Sequence, residues 1–96
     1  MGRMDSLPGA PSELTRSEVS LRLFGPAREA AGRSMDRMRA TTVREVLAIC
    51  DVRYGAEMAR LTPSCAVWVN GEPATQSTPV RDGDEVAILP PVSGGA

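Results

Sequence analysis

Gly94 and Gly95 are the residues of this chain whose type and position point most directly to chemistry. They follow Pro90-Pro91-Val92-Ser93 and precede the last residue, Ala96. A carboxylate preceded by residues without a Cβ can be threaded through a channel too narrow for any side chain. There it can be activated by the catalytic groups of a second protein. The two prolines stiffen the base of such a tail. Lacking N–H donors, they also stop the preceding strand from extending its ladder. Residues 92–96 are therefore expected to form a flexible tail whose terminal glycine is acted upon.

The remaining candidates for chemistry have bland readings that fit better. All 11 basic residues are arginines, and the chain contains neither lysine nor histidine. No side-chain amine can act as a base, and no imidazole can shuttle protons or hold a metal. Cys50 falls on an apolar helical stripe and Cys65 opens a strand, so both read as packing residues rather than reactive thiols. Asp82, Asp84 and Glu85 surround Gly83, a pattern better explained by turn formation than by metal binding. Trp68 alternates with Val67 and Val69; it fits a partner-facing position on a sheet and simple packing equally well. No nucleophile stands with a base, so no active site of the chain's own and no metal are expected.

The elements that must carry the tail follow from periodicity. Residues 1–17 contain Pro8, Gly9 and Pro11 and show no hydrophobic period, which predicts a disordered extension. From Glu18 to Phe24 the residues alternate, with Val19, Leu21 and Leu23 on one side and Ser20, Arg22 and Phe24 on the other, as in a half-buried strand. Gly25-Pro26 ends it, and Ala27–Ala31 fits one helical turn before Gly32. A second strand is expected over Ser34–Ala40, although Met35 and Met38, three apart, break its alternation. Thr42-Val43-Arg44-Glu45 is a capping box. Behind it Val43, Val46, Leu47 and Cys50 recur at the spacing of one helix face. That helix should reach about Arg53 and stop near Gly55, with a further short turn over Ala56–Leu61.

Cys65–Asn70 reads as a strand closed by the tight-turn pair Asn70-Gly71. The polar stretch Glu72–Pro79 has room for one short edge strand. Asp82-Gly83-Asp84 then turns the chain into a last strand, Glu85–Leu89. The sum is an α+β domain over residues 18–91, with one main helix across one face of a mixed four- to five-stranded sheet. The opposite face is left uncovered and carries Phe24, Ala87 and Leu89, an apolar patch that implies a partner.

Composition excludes other classes. A chain of 96 residues supports one modest core. Only Phe24, Tyr54 and Trp68 are aromatic, so that core rests on aliphatic residues and methionine. The formal net charge of −1 gives no one-signed field for nucleic acid or an anionic membrane. Two cysteines are too few for a disulfide-stapled secreted domain. No apolar run approaches the ~20 residues of a membrane span, and no signal peptide is apparent. A cytosolic compartment is expected.

Three segments resemble the molybdopterin synthase small subunits. They are Phe24-Gly25-Pro26-Ala27-Arg28-Glu29-Ala30-Ala31-Gly32, Thr41-Thr42-Val43, and the run from Pro79 through Asp82-Gly83-Asp84-Glu85-Val86 and Pro90-Pro91-Val92-Ser93 to Gly95. The resemblance covers about residues 19–95 and is most specific in the last segment. It implies a β-grasp, ubiquitin-like fold. It further implies that an E1-like enzyme adenylates the terminal glycine using ATP, that sulfur is installed there as a thiocarboxylate, and that a large synthase subunit uses this sulfur to build molybdopterin. Carried over by position, Gly95 bears the sulfur, Gly94 grants passage, and Phe24, Arg28 and Leu89 belong to the docking surface. No stably bound cofactor is implied, since the ATP is used by the partner.

Ala96 departs from the family pattern, which ends at Gly-Gly. Either a peptidase removes it or the chain as written is not a competent carrier. Related carriers are made with such extensions and trimmed by a metallopeptidase, so removal of Ala96 is the expectation. Two alternatives remain open. One is a sulfur carrier serving thiamin, cysteine, tRNA thiolation or natural-product synthesis. The other is a ubiquitin-like interaction module or modifier that never carries sulfur.

Overall fold

The computed structural model describes residues 16–91. Strand β1 (Ser17–Leu23) leads into helix α1 (Gly25–Ala31), and strand β2 (Met35–Ala40) returns beside β1. Helix α2 (Val43–Tyr54) follows, then helix α3 (Ala56–Leu61) and a 3-10 turn (Thr62–Ser64). Strands β3 (Ala66–Val69), β4 (Glu72–Pro73) and β5 (Glu85–Leu89) complete a five-stranded sheet in the order β2-β1-β5-β3-β4. The central pair β1 and β5 is parallel and every other pairing is antiparallel. The expected tail over 92–96 and residues 1–15 of the extension expected over 1–17 lie outside the described residues, while Ser17, the last residue of that extension, already pairs with Ala40.

One face of the sheet meets α2 and α3. Val19, Leu21 and Leu23 of β1, Val86 and Ile88 of β5, and Val43, Val46 and Cys50 of α2 are all buried in one core. The period of two in the strands and of 3.6 in α2 therefore point at the same interior, as the alternation required. Met58 of α3 and Val80 close the core at its sides.

Several boundaries and one motif differ from expectation. β1 begins at Ser17 and ends at Leu23; Phe24 is extended, with φ −129° and ψ 155°, and caps α1. α1 starts at Gly25, because Pro26 sits at the first turn, where its missing N–H has no helical partner to lose. In β2 the alternation is regular after all. Met38 is buried and Met35 faces out, while Asp36 takes the inward position two residues before Met38. The capping box is also displaced by one residue. The Glu45 N–H donates to Thr42 Oγ1 at 3.3 Å, but Glu45 Oε1 accepts from the Thr41 N–H at 2.7 Å rather than from Thr42. The two amides that open α2 are taken by the 76–78 segment: Val43 N–H donates to the Thr78 carbonyl and Arg44 N–H to the Gln76 carbonyl, each at 2.9 Å.

Asn70 (φ 51°) and Gly71 (φ 83°) are both left-handed, which gives the β3–β4 turn the twist of a two-residue hairpin. The acidic cluster is engaged by donors within the turn and beyond it: Asp84 accepts from the Arg81 N–H (2.8 Å) inside the turn and from Asn70 Nδ2 (2.9 Å), and Asp82 Oδ1 accepts from the Glu18 N–H of β1 (2.7 Å). Among the described residues, no helix is long and apolar enough to cross a membrane.

Candidate docking face and tail base

The uncovered face of the sheet divides into an apolar half and a charged half, and the strand register decides which residues share each. Leu23 lies opposite Ile88, and the Phe24 N–H donates to the Ile88 carbonyl at 3.1 Å. Phe24 thus comes level with Leu89, which on its other side lies opposite Ala66 of β3. Two residues back along β5, Ala87 lies between Arg22 and Trp68, and Trp68 in turn lies opposite Pro73. Phe24 is 39% and Trp68 38% exposed, and Leu89 is half-buried. Val67 and Ile88, their neighbours in sequence, are buried on the helix side. The alternation puts Trp68 on the outer face, beside Ala87 and Pro73.

Further back along the same strands the face is ionic. Arg22 pairs with Glu85 at 3.3 Å, and Glu18 lies between Arg37 (3.6 Å) and Arg39 (3.8 Å). All these side chains are substantially exposed, so the pairs contribute little to stability. Their consequence is directional: the apolar half lies at the end of β5 from which the chain leaves toward Gly94 and Gly95.

The chain's exit is fixed by a close approach. Gly25 adopts φ +57°, and a Cβ built on it would lie 3.3 Å from Cγ of Pro90. The start of α1 therefore packs its backbone against the first residue after β5, a contact that needs glycine on both counts. Arg28, the third expected docking residue, lies one turn along α1 with its backbone N–H directed at the Phe24 carbonyl (3.4 Å). Its side chain is exposed and makes no ion pair with any of the described residues. Gly94, Gly95 and Ala96 lie outside the described residues.

The thiols offer no competing site. Burial, with the nearby Asp51 carboxylate adding to it, pushes the Cys50 thiol up to about 12. Desolvation also raises Cys65. Both shifts favour the neutral thiol over the reactive thiolate. What reading the sequence missed is Asp36. Its Oδ2 accepts from Arg53 Nη1 at 2.9 Å and from the Tyr54 hydroxyl. A carboxylate at an inward strand position, opposite a helix ending in Arg-Tyr, was the available signal.

A family model described as ThiS matches residues 21–95. The chain belongs to the ThiS family. Its five-stranded mixed sheet with α2 across one face is the β-grasp, ubiquitin-like fold. Other members give the likeness its detail. A protein of Pyrenophora tritici-repentis described as molybdopterin synthase sulfur carrier subunit is 32% identical, over 90% of this chain and 99% of that one. The small archaeal modifier protein 1 of Methanosarcina acetivorans superposes with a TM-score of 0.73 at 30% identity, covering 83% of this chain and 98% of that one. A complex of subunits 1 and 2 of the molybdopterin-converting factor from Helicobacter pylori contains a chain with a TM-score of 0.60 at 29% identity, covering 81% of this ThiS-family chain and 99% of that one.

Proposed function

We propose that this chain is a sulfur carrier, the small subunit of a molybdopterin synthase, with Gly95 as its working terminus. The observation that carries the reading is the apolar patch of Phe24, Ala87, Leu89 and Trp68, which lies at the outgoing end of β5 beside the Gly25–Pro90 contact. A partner seated on that patch covers the point at which the chain leaves β5 toward its Gly-Gly run. In this reading an E1-like enzyme joins the Gly95 carboxylate to AMP from ATP and releases pyrophosphate. Sulfide then attacks the acyl carbon and displaces AMP, leaving the thiocarboxylate, because the acyl adenylate is a far better electrophile than the carboxylate. The large synthase subunit takes the sulfur from the resulting thiocarboxylate. ATP belongs to the activating partner, and the carrier itself holds no cofactor. A metallopeptidase first removes Ala96.

The test compares chains ending at Ala96 and at Gly95, each incubated with the activating enzyme, ATP and a sulfur donor and then weighed by mass spectrometry. Only the form ending at Gly95 should exchange pyrophosphate and gain sulfur, because placement within about an ångström governs such reactions. Gly94→Val in that form should abolish both. Sulfur gained equally by the 96-residue form would remove the need for trimming, and equal activity of Gly94→Val would end the threading argument.

The likeness to small archaeal modifier protein 1 favours a second reading, in which the same activated tail is joined to a protein amine. The two differ in product: a free thiocarboxylate in one case, an isopeptide-linked conjugate in the other.

A further inference from the structure

The two edges of this sheet are closed in different ways. β4, at one edge, consists of Glu72 and Pro73 alone, and a short edge strand containing proline is a poor template for another strand. β2, at the other, is six residues long and contains neither proline nor glycine. Its outward-facing groups follow from the register. Arg37 is opposite Ser20, and the Ser20 N–H turns away from it to the Asp84 carbonyl (2.9 Å). The Leu23 N–H donates to the Ser34 carbonyl (2.9 Å), so the bonded pairs of this ladder are the alternate ones. The N–H and C=O of Arg37 therefore point out from the middle of the edge.

Both are already occupied. The Arg37 N–H donates to Asp36 Oδ1 at 2.8 Å, and the Arg37 carbonyl accepts from Arg53 Nη1 at 2.9 Å. The same Arg53 nitrogen reaches Asp36 Oδ2 at 2.9 Å, and the Tyr54 hydroxyl also donates to that oxygen. Charge guards the edge only in part, because Glu18 stands between Arg37 and Arg39 on the outer face. We infer that Asp36 and Arg53 form a latch that closes the middle of β2 to strand addition, and that without it the edge pairs with β2 of a second copy of this chain. The second copy is the natural occupant: two identical strands match in length, and a two-fold axis at Arg37 brings together the groups that the latch now holds. A carrier that must present one face and one tail to its partners is thereby kept free of itself.

Two variants test the latch separately. Arg53→Met keeps the apolar stem and frees the Arg37 carbonyl; Asp36→Ala frees its N–H. Arg60→Met, which removes an arginine paired at 3.5 Å with Glu57 elsewhere on the surface, controls for the positive charge lost in Arg53→Met. Sedimentation velocity should show the wild type and Arg60→Met as monomers and both latch variants as self-associating. Read at concentrations low enough to keep the variant monomeric, amide hydrogen exchange at Arg37 should quicken in Asp36→Ala by roughly tenfold or more, the loss of one charge-assisted hydrogen bond. If Asp36→Ala does not fold, Arg53→Met alone decides. Latch variants that remain monomeric wherever the wild type does, or a wild-type Arg37 amide that exchanges as freely as an exposed one, would overturn the inference.

Discussion

Gly25 is the residue on which the tail's base depends. Its positive φ and the 3.3 Å approach to Pro90 make any side chain there unwelcome twice over. Gly25→Ala should cost about 1 kcal/mol for the left-handed conformation, and Pro90 must yield by a few tenths of an ångström. The expected outcome is a folded protein with a slightly lower melting temperature. In a form ending at Gly95, its rate of sulfur acquisition should fall further than that stability loss explains. A rate equal to wild type would show that Pro90 does not aim the tail. Gly32 offers the contrast: it too has positive φ, but nothing lies within 4 Å of a Cβ built on it, so its replacement should affect stability alone.

At the scale of elements, α2 is tied down at both ends by side chains from neighbouring segments. Its N-terminus is held by Thr41, Thr42 and Glu45 with the 76–78 loop, and its C-terminus by Arg53 and Tyr54 on Asp36 of β2. Desolvation alone would raise the Asp36 pKa. Hydrogen bonds from Tyr54, the Arg37 amide and Arg53 outweigh it and hold the carboxyl below its ordinary value. Because the folded pKa lies below the unfolded one, Asp36 contributes stability above the ordinary carboxylate range and loses it as pH falls through the folded value. The neighbouring charges are Arg33, at 3.5 Å, and Arg53, both cationic throughout that range. Urea denaturation of wild type and Asp36→Asn should therefore show a gap near neutral pH that narrows on acidification. A gap independent of pH would mean that the carboxylate charge has no part in holding α2.

For the whole molecule, one sheet has two faces of different character: its inner face makes the core, and its outer face leaves the apolar patch proposed for a partner. Leu89 lies at the centre of the outer patch, between Phe24 and Ala66. Truncating or charging a well-desolvated anchor costs about 1–3 kcal/mol of binding or more. Leu89→Asp should weaken binding to the activating enzyme and to the large synthase subunit by roughly tenfold or more. The circular dichroism spectrum should stay unchanged, because the substituted position is not in the core. Ile88→Ala, one residue earlier and fully buried, should do the opposite, costing about 2–5 kcal/mol of stability. Unaltered affinity in Leu89→Asp would move the docking surface away from this patch.

The sequence alone determined the features that depend on local pattern. Alternation in β1 and β5, the stripe of Val43, Val46, Leu47 and Cys50, and the turn residues at Asn70-Gly71 and around Gly83 each state their own conformation, because periods of 2 and 3.6 and a positive φ are properties of neighbouring residues. The Gly-Gly run and its resemblance to a carrier family were legible in the same way. Tertiary structure decided whatever depends on pairing between distant segments. β1 and β5 are parallel neighbours, which no local signal announces, and only that register brings Phe24 level with Leu89. Met35 and Met38 looked like a broken alternation because Asp36 is a polar residue at an inward position. Its partners, Arg53 and Tyr54, arrive from a helix 17 and 18 residues away in the chain. The close approach of Gly25 to Pro90 has the same origin: a glycine in a turn has many possible uses, and only the packed structure supplies the neighbour that requires it.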